Sequence, residues 1–347
     1  MASDALHGRY AVSIGEALYD CLADQKGVEK EDVKSWTPHP GGAPVNVATG
    51  ISRLGIKSVF LGAIGADDLG KDFIQLLKDR EVDTSHIQLE EDRPTRDILV
   101  TRSLDGDRTF AGFGKRRTEE YADCFLDPEK LPLDVVKNAD VLVTGTLGLA
   151  TGPTAGAIRK AVEVAKEGRK CTVMVDVNWR PVFWSDLDQA KKVVEEYVHQ
   201  ADVVKLTDEE AEWLFGIGRD AALNQPEKVL ENLPHAKGVL VSAGEKGSAY
   251  SFRSPGGKMD LSGVVPVLSV DVVDTTGAGD AYTAGFLFYM LLSGSLDSLL
   301  ADPTRLRRAV EFATACGAAT CTKPGAIGAQ PTVAEVEQLL AAKDKNK

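Results

Sequence analysis

Apolar residues recur along this chain in two rhythms. Short β-branched runs read as strands: Tyr10–Ile14, Lys57–Gly62, Val141–Thr144, Cys171–Asp176, Val203–Leu206 and Gly238–Ser242. Between them, apolar positions at helical spacing predict helices over Gly42–Leu54 (starting near Pro44), Lys71–Arg80, 153–167, 186–199, 207–215, 278–293 and 304–322. Residues 264–273 are rich in valine and also read as a strand. Such alternation specifies a mainly parallel sheet covered by helices on both faces. One stretch departs from it. Ile98–Arg102 and Arg108–Gly112 flank Asp105-Gly106, the pattern of a β-hairpin, so a small β appendage is expected there. No repeat or linker divides the chain, and 341–347 read as a charged tail.

The most chemically suggestive stretch is Asp274-Thr-Thr-Gly-Ala-Gly-Asp280, placed between the valine-rich run and the helix from 278. A helix N-terminus carries unpaired N–H donors and partial positive charge, which makes it an anion site. Gly277 and Gly279 let backbone approach a ligand closely, so the Gly277, Ala278 and Gly279 amides form a candidate anion hole. Asp280 beside it would repel a resident phosphate, yet it could take a proton from an attacking hydroxyl. An anion hole next to a general base is what phosphoryl transfer to an alcohol requires. Taken alone, the stretch also reads as an ordinary helix cap.

Composition narrows the setting. With 40 basic and 52 acidic residues the formal net charge is -12, which argues against nucleic acid and anionic membranes as partners. Positive potential must therefore be made locally, by helix ends, a few arginines or bound cations. Five scattered cysteines without a C-x-x-C read as free thiols in a reducing compartment. The first ten residues lack an apolar signal core and no apolar run reaches membrane length, so a cytoplasmic location is expected.

In a parallel α/β sheet, ligands sit beyond the carboxyl ends of the strands. Asp176, Asn178, Thr207, Ser242 and the Gly277 turn all follow expected strands and should converge on one edge. Gly41-Gly-Ala-Pro-Val-Asn46 sets a flexible turn before a helix, with the Asn46 amide suited to a sugar hydroxyl. Gly65-Ala-Asp-Asp-Leu-Gly-Lys71 matches G-x-x-x-x-G-K, but Asp72 follows where a phosphate loop needs Ser or Thr for magnesium. No G-x-G-x-x-G follows the first strand, which argues against a nicotinamide enzyme.

Two of these segments resemble the paired signatures of the ribokinase-like (PfkB) carbohydrate kinases. Gly41-Gly-Ala-Pro-Val-Asn-Val-Ala48 with Gly55 and Gly65 is similar to the first, and Asp274–Asp280 with Ala284-Gly285 to the second. The resemblance covers about residues 9 to 335. It implies a single ribokinase-like α/β/α sandwich with a mainly parallel central sheet, and a small β-sheet lid from about 16–40 and 94–118. Residues 336–347 would be a helix end and the charged tail. Gly15-Glu-Ala-Leu-Tyr-Asp20 is similar to the opening of fructokinases, and Asp176-Val-Asn-Trp-Arg180 to the D-x-N-x-R segment of fructokinases and keto-deoxy sugar kinases.

The resemblance implies roles for residues that the chain alone leaves open. Asp20, Gly41, Gly42, Asn46 and a lid Arg108 would hold the sugar, and Arg180 would face the sugar or the transferred phosphoryl group. Asn178, Thr207, Ser242, Gly244, Gly247 and Gly279 would lie along the nucleotide. Glu210 would order magnesium through water, although Thr207 replaces the family's Asn. Asp274 and carbonyls of the Lys323–Gly328 loop would hold a monovalent cation, expected to be potassium. The implied reaction is ATP-dependent phosphorylation of the primary hydroxyl of fructose to fructose 6-phosphate, with Asp280 as base. The alternatives are a 2-keto-3-deoxygluconate or ribose-like acceptor, or an inactive kinase fold serving as a regulatory subunit. Expected partners are a small sugar and ATP, with a homodimer joined through the lid as the assembly.

Overall fold

A computed structural model describes residues 6–104, 108–114, 116–168 and 170–345, without the side chains of Arg108 and of 343–345. Among the described residues, nine strands form one sheet. From edge to edge they are Leu261–Val265, Ser248–Phe252, Gly238–Ser242, Val203–Thr207, Thr172–Asp176, Val141–Thr144, Tyr10–Ile14, Lys57–Leu61 and Val82–Asp83. The seven from Gly238–Ser242 onward pair in parallel; the first two join as an antiparallel edge. Side-chain alternation divides each strand between two cores. Val175, Val204, Leu206 and Val239 face helices Gly152–Glu167, Leu187–Val198 and Asp208–Phe215. Met174, Val203 and Leu240 face helices Ala43–Arg53, Ala278–Leu292 and Pro303–Thr320. Asp176 and Lys205, register partners, fall by the same alternation on the second face.

The α/β alternation expected from the sequence is present, with helix ends shifted by a few residues. Helix Asp68–Asp79 begins earlier than expected because Asp67 caps it, accepting from the Gly70 N–H at 2.8 Å. Asp67 also accepts from the Thr95 N–H and hydroxyl. A carboxylate thus fills the place where a phosphate loop would hold phosphate.

Two expectations need correction. The valine-rich stretch 264–273 is strand only through Val265, because Pro266 supplies no N–H to the ladder. The remainder runs as a loop, pinned where the Val273 and Asp274 N–H groups donate to the Cys321 carbonyl. The glycine turn therefore ends a loop and not a strand; its strand neighbour Ser248–Phe252 carried no clear alternation in the sequence. At the other end, residues 341–345 continue helix Val333–Lys345 and are not a frayed tail, since Val336 is fully buried in the second core and anchors that helix.

A second, four-stranded sheet runs Trp36–Gly41, Leu18–Ala23, Arg96–Arg102, Arg108–Phe113. The hairpin pairs as expected, with a bulge between Leu99 and Val100; its Asp105-Gly106 turn lies outside the described residues. Arg96 anchors this sheet. Its buried guanidinium makes a two-pronged pair with Asp123 at 2.7 and 2.9 Å and lies beside Phe113, Tyr121 and Phe183.

Candidate active site

The site is built where two glycine turns meet. Gly42 caps helix Ala43–Arg53 at φ 107°, and a side chain there would put its Cβ 2.6 Å from the Glu16 carbonyl. Only glycine fits. Pro44 sits in the first helical turn, where its missing N–H costs nothing. Asn46, on that same turn, donates its amide to Asp280 Oδ2 at 2.8 Å. Helix Ala278–Leu292 starts from Gly277 in the left-handed conformation, φ 77°, packed so closely on Ala326 that a Cβ would meet it at 2.6 Å. One hydrogen bond thus joins residues 234 positions apart in the chain.

Asp280 lies half-buried in the first turn of its helix. Removal from water, and then the neighbouring Asp176 carboxylate, push its carboxyl up to about 6 against the pull of Asn46, Lys205 and Arg180. At neutral pH the group is ionised yet basic enough to accept a proton. Of the candidate anion-hole amides, Ala278 drops out, because its N–H donates to the Thr275 carbonyl at 3.2 Å. The N–H groups of Gly277, Gly279 and Asp280 have no acceptor among the described residues.

Asp274 fixes the turn. Its Oδ1 accepts from the Thr276 N–H and hydroxyl, and its Oδ2 accepts from the Gly325 N–H at 2.9 Å. Asp274 thus ties its own turn to the Lys323–Gly328 loop through the Gly325 N–H.

Asp20 stands half-buried on the strand Leu18–Ala23. Its Oδ2 lies 3.8 Å from where a Gly41 side chain would begin, so Gly41, Gly42 and Asn46 run from this carboxylate to Asp280. Arg108 is placed on the outer strand of the small sheet. Its side chain lies outside the described residues.

The strand ends supply a second row. Asp176, Thr207 and Ser242 terminate three neighbouring strands, with Thr207 in register with Ser242. Thr207 caps helix Asp208–Phe215: its hydroxyl accepts from the Glu210 N–H, while Glu210 Oε2 accepts from the Thr207 N–H at 2.7 Å. Thr207 thus serves as the helix cap, a role that Asn would fill equally well. Glu210 Oε1 accepts from the Trp179 N–H at 2.6 Å, and Trp179 stacks on Trp213 at 4.0 Å. These contacts pin Asn178, held at φ 39°, beside the strand ends. Arg180 is exposed and donates to the Trp179 carbonyl, so it does not pair with Asp280. Past Ser242, Gly244 and Gly247 turn at φ 52° and 97°; a Gly247 Cβ would strike the Val265 carbonyl.

Two groups here were not singled out from the sequence. The first is Lys205, which pairs at 3.0 Å with the expected strand-end Asp176, almost fully buried beneath the glycine turn, while Thr283 donates to the other Asp176 oxygen. A lysine inside a buried parallel strand was the available signal. Glu16, 2% exposed, is the other.

A family model described as pfkB family carbohydrate kinase matches residues 9–333. The chain belongs to that family. Probable fructokinase-3 of Arabidopsis thaliana is 36% identical over 347 residues, covering 100% of this chain and 95% of the relative. Among solved structures, a fructokinase from Xylella fastidiosa with bound ATP superposes with a TM-score of 0.83 at 26% identity, covering 96% of this chain and 99% of its own. Two structures of the Vibrio cholerae O395 fructokinase each give 0.79 at 27% identity. They cover 97% and 96% of this chain, and 100% and 98% of their own. One holds fructose, ADP and calcium, and the other, a double mutant, holds fructose, ADP and potassium. The fold is ribokinase-like and the chain is an ATP-dependent sugar kinase. Among the described residues no helix is long and apolar enough to cross a membrane.

Proposed function

We propose that this pfkB-family kinase transfers the γ-phosphoryl group of ATP to the primary hydroxyl of fructose, giving fructose 6-phosphate and ADP. The observation that carries the reading is the Asn46–Asp280 hydrogen bond, which sets a sugar-binding turn against a base at the mouth of an anion site. Fructokinases among the relatives and structural neighbours support the choice of sugar. Asp20 and Asn46 bind sugar hydroxyls; the buried Asn46 Oδ1 has no protein partner and suits a hydroxyl donor. Asp280 takes the proton as the hydroxyl oxygen bonds to the γ-phosphorus. The bond to the β-phosphate oxygen breaks, and ADP leaves with that electron pair. The Gly277 and Gly279 amides receive the negative charge on the transferring group. Asn178, Thr207, Ser242, Gly244 and Gly247 line the nucleotide side, and Arg180 reaches over the cleft to the phosphates. The small sheet carries Asp20 and Arg108 and closes over the sugar, excluding water that would hydrolyse ATP.

Magnesium would neutralise the ATP phosphates. Glu210 fits an outer role toward it, since each carboxylate oxygen holds one amide and keeps a lone pair for a metal-bound water. Asp274 and carbonyls of 323–328 would hold potassium, on a carboxylate that already ties its own turn to that loop. The test is turnover of magnesium ATP with fructose, glucose, ribose, adenosine and 2-keto-3-deoxygluconate, with NMR of the product locating the phosphate. Fructose should give the highest kcat/KM, phosphorylated at C6. Preference for another acceptor would overturn the substrate assignment.

A further inference from the structure

Lys205 is the one interior cation at the glycine turn among the described residues. It sits mid-sheet on Val203–Thr207, its side chain 7% exposed. Its Nζ donates to Asp176 Oδ1 at 3.0 Å, and Asp176 is braced by the Thr283 hydroxyl at 3.2 Å, one turn past Gly279 on the same helix. A methyl group on Gly279 would lie 3.1 Å from Nζ, so the ammonium lies directly against the backbone of the anion hole. Its remaining N–H donors have no acceptor among the described residues. Three carboxylates surround it, those of Asp176, Glu210 and Asp280; although burial opposes the charge, together they hold its pKa above the ordinary value. We propose that Lys205 is a positioning residue of the phosphoryl-transfer site, the fixed cation beneath the anion hole that offsets Asp176, keeps Asp280 ionised and supports the charge arriving at Gly277 and Gly279. This rests on the kinase reading above. The negative field of the acidic turn is then balanced from inside the fold, whatever ion Asp274 binds.

The groups facing Asp280 are Asn46 from helix Ala43–Arg53, Asp176 and Lys205 from neighbouring strands, Arg180 from the following loop, and Glu16 after the first strand. Only Lys205 brings a buried positive charge. The experiment is the pH profile of kcat/KM for the sugar in wild type, Lys205→Met and Lys205→Met/Asp176→Asn, using whichever panel sugar the wild type turns over. In K205M the acid limb should move up by about one pH unit or more, roughly a tenfold change in acid dissociation, because Asp176 then acts on Asp280 without the buried cation that offsets it. In the double variant the limb should return toward wild type. On its alkaline plateau kcat should stay roughly tenfold or more below wild type, with the KM for ATP changed less than about threefold. A K205M limb at the wild-type position overturns the proposal. Should K205M not fold, the double variant decides, since both buried charges are gone and a wild-type plateau kcat overturns it. A wild type inactive on fructose but active on another sugar refutes only the substrate assignment.

Discussion

Replacing Asn46 by alanine isolates the contact that joins the two halves of the site. The amide donates to Asp280 Oδ2 at 2.8 Å and lowers the acid's pKa, which otherwise rises through burial and Asp176. A hydrogen bond to a charged group contributes about 1.5–3 kcal/mol, and each pKa unit corresponds to about 1.4 kcal/mol. Losing it should raise the Asp280 pKa by roughly one to two units, from about 6 toward 7 or 8. At pH 7 the ionised fraction then drops from about nine-tenths to between about one-half and one-tenth. Activity at that pH should fall by roughly two- to tenfold from ionisation alone, and that part should return at pH 9. Loss of the sugar contact adds a rise in the KM for fructose that does not recover. The assay is kcat/KM for fructose from pH 5 to 9.5, with a thermal melt at each pH to confirm folding. An acid limb at the same pH in N46A and wild type would refute the coupling between Asn46 and the base.

Removing the Asp20 carboxylate in Asp20→Ala should raise the KM for fructose by about tenfold or more, at about 1.4 kcal/mol per decade; an unchanged KM would mean that Asp20 does not touch the sugar. Potassium should raise kcat more than it lowers the KM for ATP, with lithium a poor substitute, because an ion on Asp274 acts by fixing the turn. Equal rates in potassium and in matched choline would leave Asp274 as a cap for Thr276 and Gly325 alone. Glu16 provides a stability test: burial, helped by the Asp123 and Asp280 carboxylates and opposed by backbone hydrogen bonds from Glu16 itself and Ala43, raises its carboxyl to about 8, so the fold favours the protonated form. Its contribution is present below pH 4.5 and is lost as pH rises through 8, by an amount on the order of a few kcal/mol. Denaturant melts of Glu16→Gln should flatten that decline, and parallel slopes in both proteins would contradict it.

The parallel core was legible because its strands are continuous apolar runs bounded by turns, and two of its helices begin where expected, at the caps Asp186 and Thr207, whereas the Asp67 cap went unread. Gly277 and Asp280 were readable because glycine at positive φ and an acid in a first helical turn leave a local pattern. Less was visible where long-range packing decides. Ser248–Phe252 is recruited by the strand beside it, and Pro266 rather than any loss of valine ends the strand that follows. Ala278 was placed in the anion hole because one-dimensional spacing cannot show that Thr275 takes its N–H. The Lys205–Asp176 pair depends on the register between two strands, which neither segment reveals alone.

The most direct measurement is the steady-state rate of Asp280→Asn with magnesium ATP and fructose, together with its affinity for ATP. Asparagine preserves shape and the contact with Asn46 while removing the proton acceptor. The kcat should fall by roughly two to four orders of magnitude, the range for a positioned base, with ATP binding nearly unchanged because the proposed nucleotide side lies along the strand ends and not at Asp280. A variant retaining half of the wild-type turnover would contradict the assignment of Asp280 as the base.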